Sequence, residues 1–205
     1  MIDFLASFFR AAPERAHPSL DTALRGPRLM LRMVKIEDWK AWRALREASR
    51  DKLEPWEPAW PSNALTYGYF CVLVRRYWRE WRNGKTYAFS IFLLDGGDPV
   101  LIGGITLGNV HYAAAQKATV GYWIGQPYVC QGYMHEALTL VSTFAFTELK
   151  LQRLEASCLP NNEPSKAVLR RCGFEEEGFA REYLQINGKR EDHLLWGKNK
   201  LANKA

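Results

Sequence analysis

Cysteine is scarce in this 205-residue sequence and is not arranged for its usual structural roles. The four cysteines stand at positions 71, 130, 158 and 172, and none forms a C-x-x-C pair. No histidine lies at metal-ligand spacing from any of them. This spacing argues against a structural zinc site and against a disulfide framework. We therefore expect reduced thiols, no bound metal and a cytoplasmic protein.

Long apolar runs are also missing. No segment approaches the roughly 20 apolar residues that a membrane-spanning helix needs, so we expect no membrane span. The start of the chain, MIDFLASFFR, has no leading basic region and is interrupted by Asp3, which makes it a poor signal peptide. It fits a short amphipathic helix packed on the domain or on a partner chain, with a membrane anchor as the less favoured alternative. Residues 11–27 contain Pro13, Pro18 and Pro27 and are interpreted as a linker.

Apolar content and charge together indicate a globular domain with an anionic partner. The chain is 47% hydrophobic, with eight Trp, nine Tyr and ten Phe. Its net charge of +6 favours a phosphorylated cofactor, a nucleic acid or a ribosome surface. We divide the chain into an N-terminal extension and linker, 1–26, and a single domain, 27–200. Four arginines share one face of a predicted helix and allow a non-catalytic RNA- or ribosome-binding module: Arg75, Arg76, Arg79 and Arg82.

Hydrophobic periodicity predicts an α/β (α+β) domain with a mixed, mostly antiparallel sheet of about seven strands flanked by helices. The predicted strands are Leu29–Val34, Tyr87–Leu94, Val100–Val110, Ala118–Ile124, Arg153–Leu159 and two that flank a hairpin turn at Asn187–Gly188. The predicted helices are 37–49, 63–83, 132–148 and one that follows an Asn161 or Asn162 cap and ends before Gly173.

The stretch VCQGYMHEAL contains a helix start without an N-capping side chain. No Ser, Thr, Asp or Asn stands before Gly132, although such residues usually accept the first free N–H groups of a helix. The strand Ala118–Ile124, the loop 125–131 and this helix direct bare N–H groups and a positive helix end at one place. Gly132 lets a ligand approach the main chain. This strand–loop–helix unit predicts a phosphate-binding site; the alternative is an ordinary loop whose N–H groups are capped by water.

Two longer stretches resemble a known family. GYWIGQPYVCQGYMHEAL and LPNNEPSKAVLRRCGFEEEGFAREYLQINGKREDHLLW are similar to the GNAT superfamily of acetyl-CoA-dependent N-acetyltransferases, in the RimJ-like branch of ribosomal-protein alanine N-acetyltransferases. The resemblance covers residues 27–197. Its most specific parts are Asn161 with Ser165, the GF-x-x-EG run 173–178, the tail ING-x-x-x-DH and the WEP sequence at 56–58.

The resemblance implies a GNAT acyl-CoA N-acyltransferase fold and acetyl transfer from acetyl-CoA to a primary amine by direct attack on the thioester. It assigns the coenzyme diphosphate to the main chain of residues 129–134. The family pattern there is [QR]-x-x-G-x-[GA], from which Val129 and Met134 depart. The cofactor-binding residues that the resemblance implies are Tyr122, Trp123, Ile124, Val129, Cys130, Gln131, Gly132, Tyr133, Met134, Asn161 and Ser165.

The resemblance also implies roles at the reacting thioester. A main-chain N–H near Trp123 or Ile124 would polarise the thioester carbonyl, as in an oxyanion hole. Asn161 would bond the pantetheine or the reacting site. Ser165 would position or protonate the leaving thiolate, and its alternative role is an ordinary hydrogen bond to the main chain in the first turn of a helix.

The acceptor amine must be neutral to attack. A peptide α-amine has a pKa near 8, against about 10.4 for lysine, so it is neutral several hundred-fold more often at pH 7. This favours a protein N-terminus, of which a ribosomal protein is one example, or a small-molecule amine. Glu57 is the first candidate for the catalytic base, with Tyr183 and His193 as fallbacks. The sequence leaves the oligomeric state open, a homodimer included.

Overall fold

Eight strands form one sheet across residues 17–201, the part of the chain that the computed structural model describes. The strands are β1 (Ala23–Arg25), β2 (Leu29–Met33), β3 (Tyr87–Leu93), β4 (Val100–His111), β5 (Lys117–Ile124), β6 (Arg153–Cys158), β7 (Glu175–Ile186) and β8 (Lys189–Asn199). Their order across the sheet is β1-β2-β3-β4-β5-β6-β8-β7. The predicted mixed, mostly antiparallel sheet is therefore confirmed.

Five α-helices cover the two faces of this sheet in the described part of the chain. They are α1 (Trp39–Ala48), α2 (Arg50–Leu53), α3 (Tyr67–Arg82), α4 (Tyr133–Thr147) and α5 (Glu163–Arg171). Helix α3 begins at Tyr67, later than the predicted Asn63. The reason is a side-chain cap, since the Oγ1 of Thr66 accepts a hydrogen bond from the N–H of Tyr69 at 3.3 Å.

Strand β1 lies within the segment that the sequence analysis interpreted as a linker. It pairs with β2 from Ala23 opposite Arg32 to Arg25 opposite Met30, so the sheet begins before the predicted linker ends. The hairpin between β7 and β8 turns at Asn187 and Gly188, as predicted, with φ angles of 44° and 83°. Two successive positive φ angles are what a two-residue hairpin of this kind requires.

Strands β5 and β6 form the parallel pair in the sheet, and they stay together for only three residues. Lys117–Thr119 pairs with Arg153–Glu155. Beyond Thr119, β5 continues to Ile124 along β4 alone, while β6 pairs with β8. A cleft therefore opens between β5 and β6, next to the start of α4.

An ion-pair cluster holds the closed end of this cleft. Glu155 accepts hydrogen bonds from the Nζ of Lys117 at 2.8 Å and from the Nε of Arg153 at 3.0 Å. Burial by itself raises the pKa of Glu155, but the two cations outweigh it and hold that pKa below its usual value. Arg153 also pairs with Glu177 on β7, which ties three strands together.

The apolar core lies on both faces of the sheet. On one face, α4 buries residues spaced three and four apart, as the periodicity predicted: Met134, Ala137, Leu138, Val141, Phe144 and Ala145. On the other face, a smaller cluster joins Trp42 of α1 to Phe70 and Val74 of α3. No helix within residues 17–201 is long and apolar enough to cross a membrane.

Candidate functional site

Helix α4 begins directly after Gly132 without a side-chain cap, as the sequence predicted. Gly132 has a φ of +79°, in the left-handed region, and no side-chain hydrogen bond caps the helix. Cys130, two residues earlier, is also left-handed with a φ of +59°. Left-handed residues near a helix start turn successive N–H groups toward one place and form a concavity that suits an anion.

The side chains of the loop itself contribute little to this concavity. Met134 is buried in the core beneath α4, whereas Val129, Cys130 and Gln131 are exposed. The donors that remain at the helix start are main-chain N–H groups, whose strength does not depend on side-chain identity. The departures of Val129 and Met134 from the family pattern therefore leave the donors in place.

The cleft between β5 and β6 exposes one edge of β5. The N–H of Gly125 donates to the carbonyl of Ile102 on β4 at 2.8 Å. Because successive N–H groups along a strand point to opposite edges, the N–H of Ile124 faces away from β4 and into the cleft. By the same alternation, Trp123 directs its N–H at β4. Of the two main-chain donors expected at the thioester, only that of Ile124 faces the cleft.

Ser165 meets Tyr122 across the cleft. The Oγ of Ser165, in the first turn of α5, lies 2.7 Å from the phenol oxygen of Tyr122 on β5. Burial raises the pKa of Tyr122 well above its usual value, by more than the hydrogen bond with Ser165 lowers it, and the phenol keeps its proton. Asn162 caps α5 by accepting the N–H of Ser165 at 3.1 Å. The Ser165 hydroxyl is thus left for Tyr122 and for a ligand.

A cavity of about 530 Å³ lies on the face of the sheet that carries α1 and α3. This volume is within the usual range for a small-ligand pocket. Trp123 of β5 lines the cavity, so β5 borders both the cleft and the cavity. Arg46, Trp60 and Tyr77 line it as well, and its walls are mostly aromatic and aliphatic.

Glu57, the first candidate for the base, lines this cavity. Its carboxylate forms a bidentate pair with Arg46, at 2.9 and 2.6 Å, and accepts a bond from the indole N–H of Trp60 at 2.8 Å. The Arg46 guanidinium lies 4.2 Å from the Trp60 ring and 4.9 Å from the Trp123 ring. In addition, the N–H of Asn187 donates to the Glu57 carbonyl at 2.9 Å, which fixes the WEP loop to the β7–β8 turn.

The fallback candidates for the base lie elsewhere. Tyr183 is 45% exposed and packs its ring edge-on against His193. His193 is buried, with its Nδ1 2.9 Å from the carbonyl of Glu191. Neither residue lines the cavity. Asn161 is exposed at the turn before α5, and its carbonyl accepts the N–H of Glu163 at 3.0 Å.

Sequence analysis missed the partners that hold the predicted residues in place. Arg46 looked like an ordinary helix-surface residue, and its partner Glu57 stands eleven positions later. The contact between Tyr122 and Ser165 spans 43 positions. No local pattern signals either pair. A partial signal for Arg46 is its place in a helix beside an aromatic, proline-rich loop, where a planar guanidinium can stack.

The described residues give no sign of a metal centre or a disulfide. No group of three or more His, Cys, Asp or Glu side chains within 17–201 could hold a metal ion. All four cysteines are free, and burial raises the pKa of Cys158 and Cys172.

Comparison with known proteins identifies the family. The model of the acetyltransferase (GNAT) domain matches residues 28–175. A probable N-acetyltransferase of Bacillus subtilis, YjcK, is 33% identical over 84% of this chain and 94% of its own length. The uS5-alanine N-acetyltransferase of Escherichia coli is 32% identical over 82% of this chain and 86% of its own. A structure of Mycobacterium smegmatis RimJ in complex with CoA-disulfide is 33% identical, covers 90% of each chain and superposes with a TM-score of 0.82.

The site fits the coenzyme that this family uses. A Cβ at Gly132 would have the Nη2 of Arg28, at 3.6 Å, as its nearest neighbour among the described residues, so the space beside this glycine suits a phosphate group. The cleft beyond Thr119 exposes the N–H of Ile124. By sequence, fold and site, this chain belongs to the GNAT acetyltransferases, in the RimJ-like branch, and is an acetyl-CoA-dependent N-acetyltransferase.

Proposed function

We propose that this enzyme acetylates the N-terminal amine of a protein, of the ribosomal-protein alanine type, by direct attack of the amine on the thioester of acetyl-CoA. The observation that carries the proposal is the charge of the cavity. Its charged lining residues are Arg46, Glu57 and Arg76: Glu57 is paired with Arg46, and Arg76 lies 3.9 Å from Glu80, so no unpaired carboxylate among the described residues lines the cavity to hold a lysine cation. Such a cavity disfavours a lysine cation and favours an amine that is readily neutral.

The proposed roles follow from the contacts around the cleft. The N–H of Ile124 donates to the thioester carbonyl and stabilises the charge that develops on its oxygen. The Ser165 hydroxyl donates a hydrogen bond to the departing thiolate, and the phenol of Tyr122, which keeps its proton, donates a hydrogen bond to the Ser165 oxygen, so the two hydroxyls form a hydrogen-bond relay. The hydrogen bond between the two hydroxyls is already formed, at 2.7 Å, so the relay needs no rearrangement.

Glu57 is the proposed base, and its environment restricts how it acts. Both carboxylate oxygens already accept hydrogen bonds, from Arg46 and from Trp60. We therefore propose that a water molecule carries the amine proton to Glu57. A peptide α-amine needs only such weak assistance, because a substantial fraction of it is neutral near pH 7.

Relatives support the acceptor class. The Escherichia coli relative is named for acetylation of an alanine of ribosomal protein uS5. We propose a comparable acceptor for this enzyme, and with it a cytoplasmic location. The exposed arginines of α3 do not support the non-catalytic alternative, because the chain belongs to an enzyme family and Arg76 borders the cavity itself.

Acceptor competition tests the proposal. The enzyme is given acetyl-CoA with a peptide that has a free N-terminal alanine, with the same peptide blocked at its N-terminus and carrying one lysine, or with small amines such as polyamines. Thiol release and the mass of the peptide are followed. We expect acetylation of the free N-terminus alone. Acetylation of the lysine peptide, or turnover confined to a small amine, would contradict the proposed acceptor.

A further inference from the structure

The turn between β1 and β2 packs directly on the first turn of α4. The main-chain N–H of Arg28 donates to one carboxylate oxygen of Glu136, and its Nε donates to the other, both at 2.9 Å. The approach is so close that a Cβ at Gly26 would lie 2.6 Å from Glu136. Arg28 stands 108 positions from Glu136, yet this contact holds it beside the start of α4.

The guanidinium of Arg28 reaches beyond Glu136 to the loop at Gly132. Its Nη1 donates to the carbonyl of Gln131 at 3.1 Å, and its carbon centre lies 4.6 Å from the ring of Tyr133. The Nη2 lies 3.6 Å from the point that a Cβ of Gly132 would occupy. A guanidinium carries five N–H groups, and only two of those on Arg28 have acceptors among residues 17–201.

The charges around the start of α4 favour an anion as the acceptor for the remaining N–H groups of Arg28. Glu136 places a carboxylate in the first turn of α4, where it would repel a diphosphate at the same helix end. Arg28 neutralises that carboxylate and still presents N–H groups toward Gly132. Half of its side chain, 47%, is exposed, so a ligand can reach it. A guanidinium is also well shaped to bind phosphate oxygens in pairs.

We infer that Arg28 is a direct ligand of the coenzyme A diphosphate, so that a residue at the N-terminal edge of the sheet completes the site made by the start of α4. Glu136 is its positioning residue. The unpredicted strand β1 then has a function, because its hairpin with β2 carries Arg28 to this place.

Direct titration of coenzyme A and of 3′-dephospho-coenzyme A tests the inference. Arg28→Gln should weaken both ligands by the same factor, about tenfold, because both carry the diphosphate. Arg28→Lys, which keeps the charge but loses the planar fork, should lose less. Arg79→Gln, which removes the same charge from the exposed face of α3, is the matched control and should bind both ligands as the native protein does.

The double variant Arg28→Gln/Glu136→Gln separates a ligand from a purely structural partner. If Arg28 binds the diphosphate, the double variant still binds coenzyme A several-fold more weakly than Glu136→Gln alone. Native-like affinity of the double variant would show that Arg28 only neutralises Glu136 and would overturn the inference. A loss that disappears with 3′-dephospho-coenzyme A would also overturn it, since Arg28 would then contact the 3′-phosphate. Should Arg28→Gln fail to fold, the same comparison of the two ligands is made with Arg28→Lys.

Discussion

Replacing Gly132 with alanine tests whether the main chain at the start of α4 binds the diphosphate of coenzyme A. Gly132 has a φ of +79°, which costs an L-residue about 1–2 kcal/mol. Alanine recovers about 0.4–1 kcal/mol by restricting the unfolded chain. The net loss should therefore be about 1 kcal/mol, and the melting temperature should fall by roughly 2–4 °C for a domain of this size.

Gly173, just past the end of α5, provides a control with the same backbone strain. Its φ is +76°, and the nearest atom to a methyl group added there would be the Cε of Lys198 at 4.0 Å. Gly173→Ala should therefore lose about the same stability as Gly132→Ala. It should not affect coenzyme binding, because it stands at the far end of α5 from Ser165.

The two variants should differ in affinity for coenzyme A. A methyl at residue 132 would stand among the N–H groups that face the diphosphate, and each hydrogen bond to a charged group contributes about 1.5–3 kcal/mol. The loss of one such bond weakens binding by about tenfold or more. Titration calorimetry on both variants, with melting curves alongside, measures the difference. Equal affinities for coenzyme A would refute a site built on the main chain at Gly132.

Three other changes follow from the same structure. Cys130→Gly should stabilise the protein by about 0.5–1 kcal/mol in thermal unfolding, because glycine adopts without strain the left-handed conformation that is unfavourable for cysteine. Its affinity for the coenzyme should be unchanged. A lower melting temperature would contradict this prediction. Ser165→Ala should lower kcat by about a hundredfold with unchanged coenzyme affinity, and Tyr122→Phe should lower it less, whereas equal effects on binding would point to a structural role. Glu155→Gln should lower the free energy of unfolding by about 1 kcal/mol at pH 7, measured in urea. Because the folded-state pKa of Glu155 is lowered, its contribution to stability is present above about pH 4.5 and is lost as the pH falls through that lowered pKa. A difference in unfolding free energy between variant and native protein that stays constant down to pH 2 would contradict the reasoning.

The elements that sequence analysis predicted well carry their signals locally. Helix α4 has apolar residues at three- and four-residue spacing, and the Asn187–Gly188 turn needs two positive φ angles that asparagine and glycine readily supply. Strand β1 gives no comparable signal, because three residues cannot show an alternation and the neighbouring prolines suggest a linker. The predicted start of α3 is wrong because Asn63 resembles a cap as well as Thr66 does, and only the structure shows which side chain bonds.

The candidate site residues also divide into those with a local sequence signal and those that depend on long-range packing. Gly132 was predictable, since a missing cap and a glycine at a helix start are both visible in the sequence. The contacts of Arg28 with Glu136 and of Tyr122 with Ser165 depend on how elements distant in sequence pack together. A single sequence has no local pattern that predicts this packing. Glu57 was chosen from the sequence as a candidate base, but its pairing with Arg46 was not predicted.

The loop before α4 shows how a main-chain site tolerates change in its sequence pattern. The donors at positions 129–134 are amides, so a side chain affects them only through the backbone angles that it permits. Gly132 keeps the left-handed angle without strain, and Met134 buries its side chain in the core. Cys130 adopts a left-handed angle, with a φ of 59°, at a cost of about 1 kcal/mol. Other interactions in the fold offset the strain at Cys130, so the main-chain donors can be retained when the side chains of the family pattern change. Backbone angles are therefore a better guide to this site than residue identities.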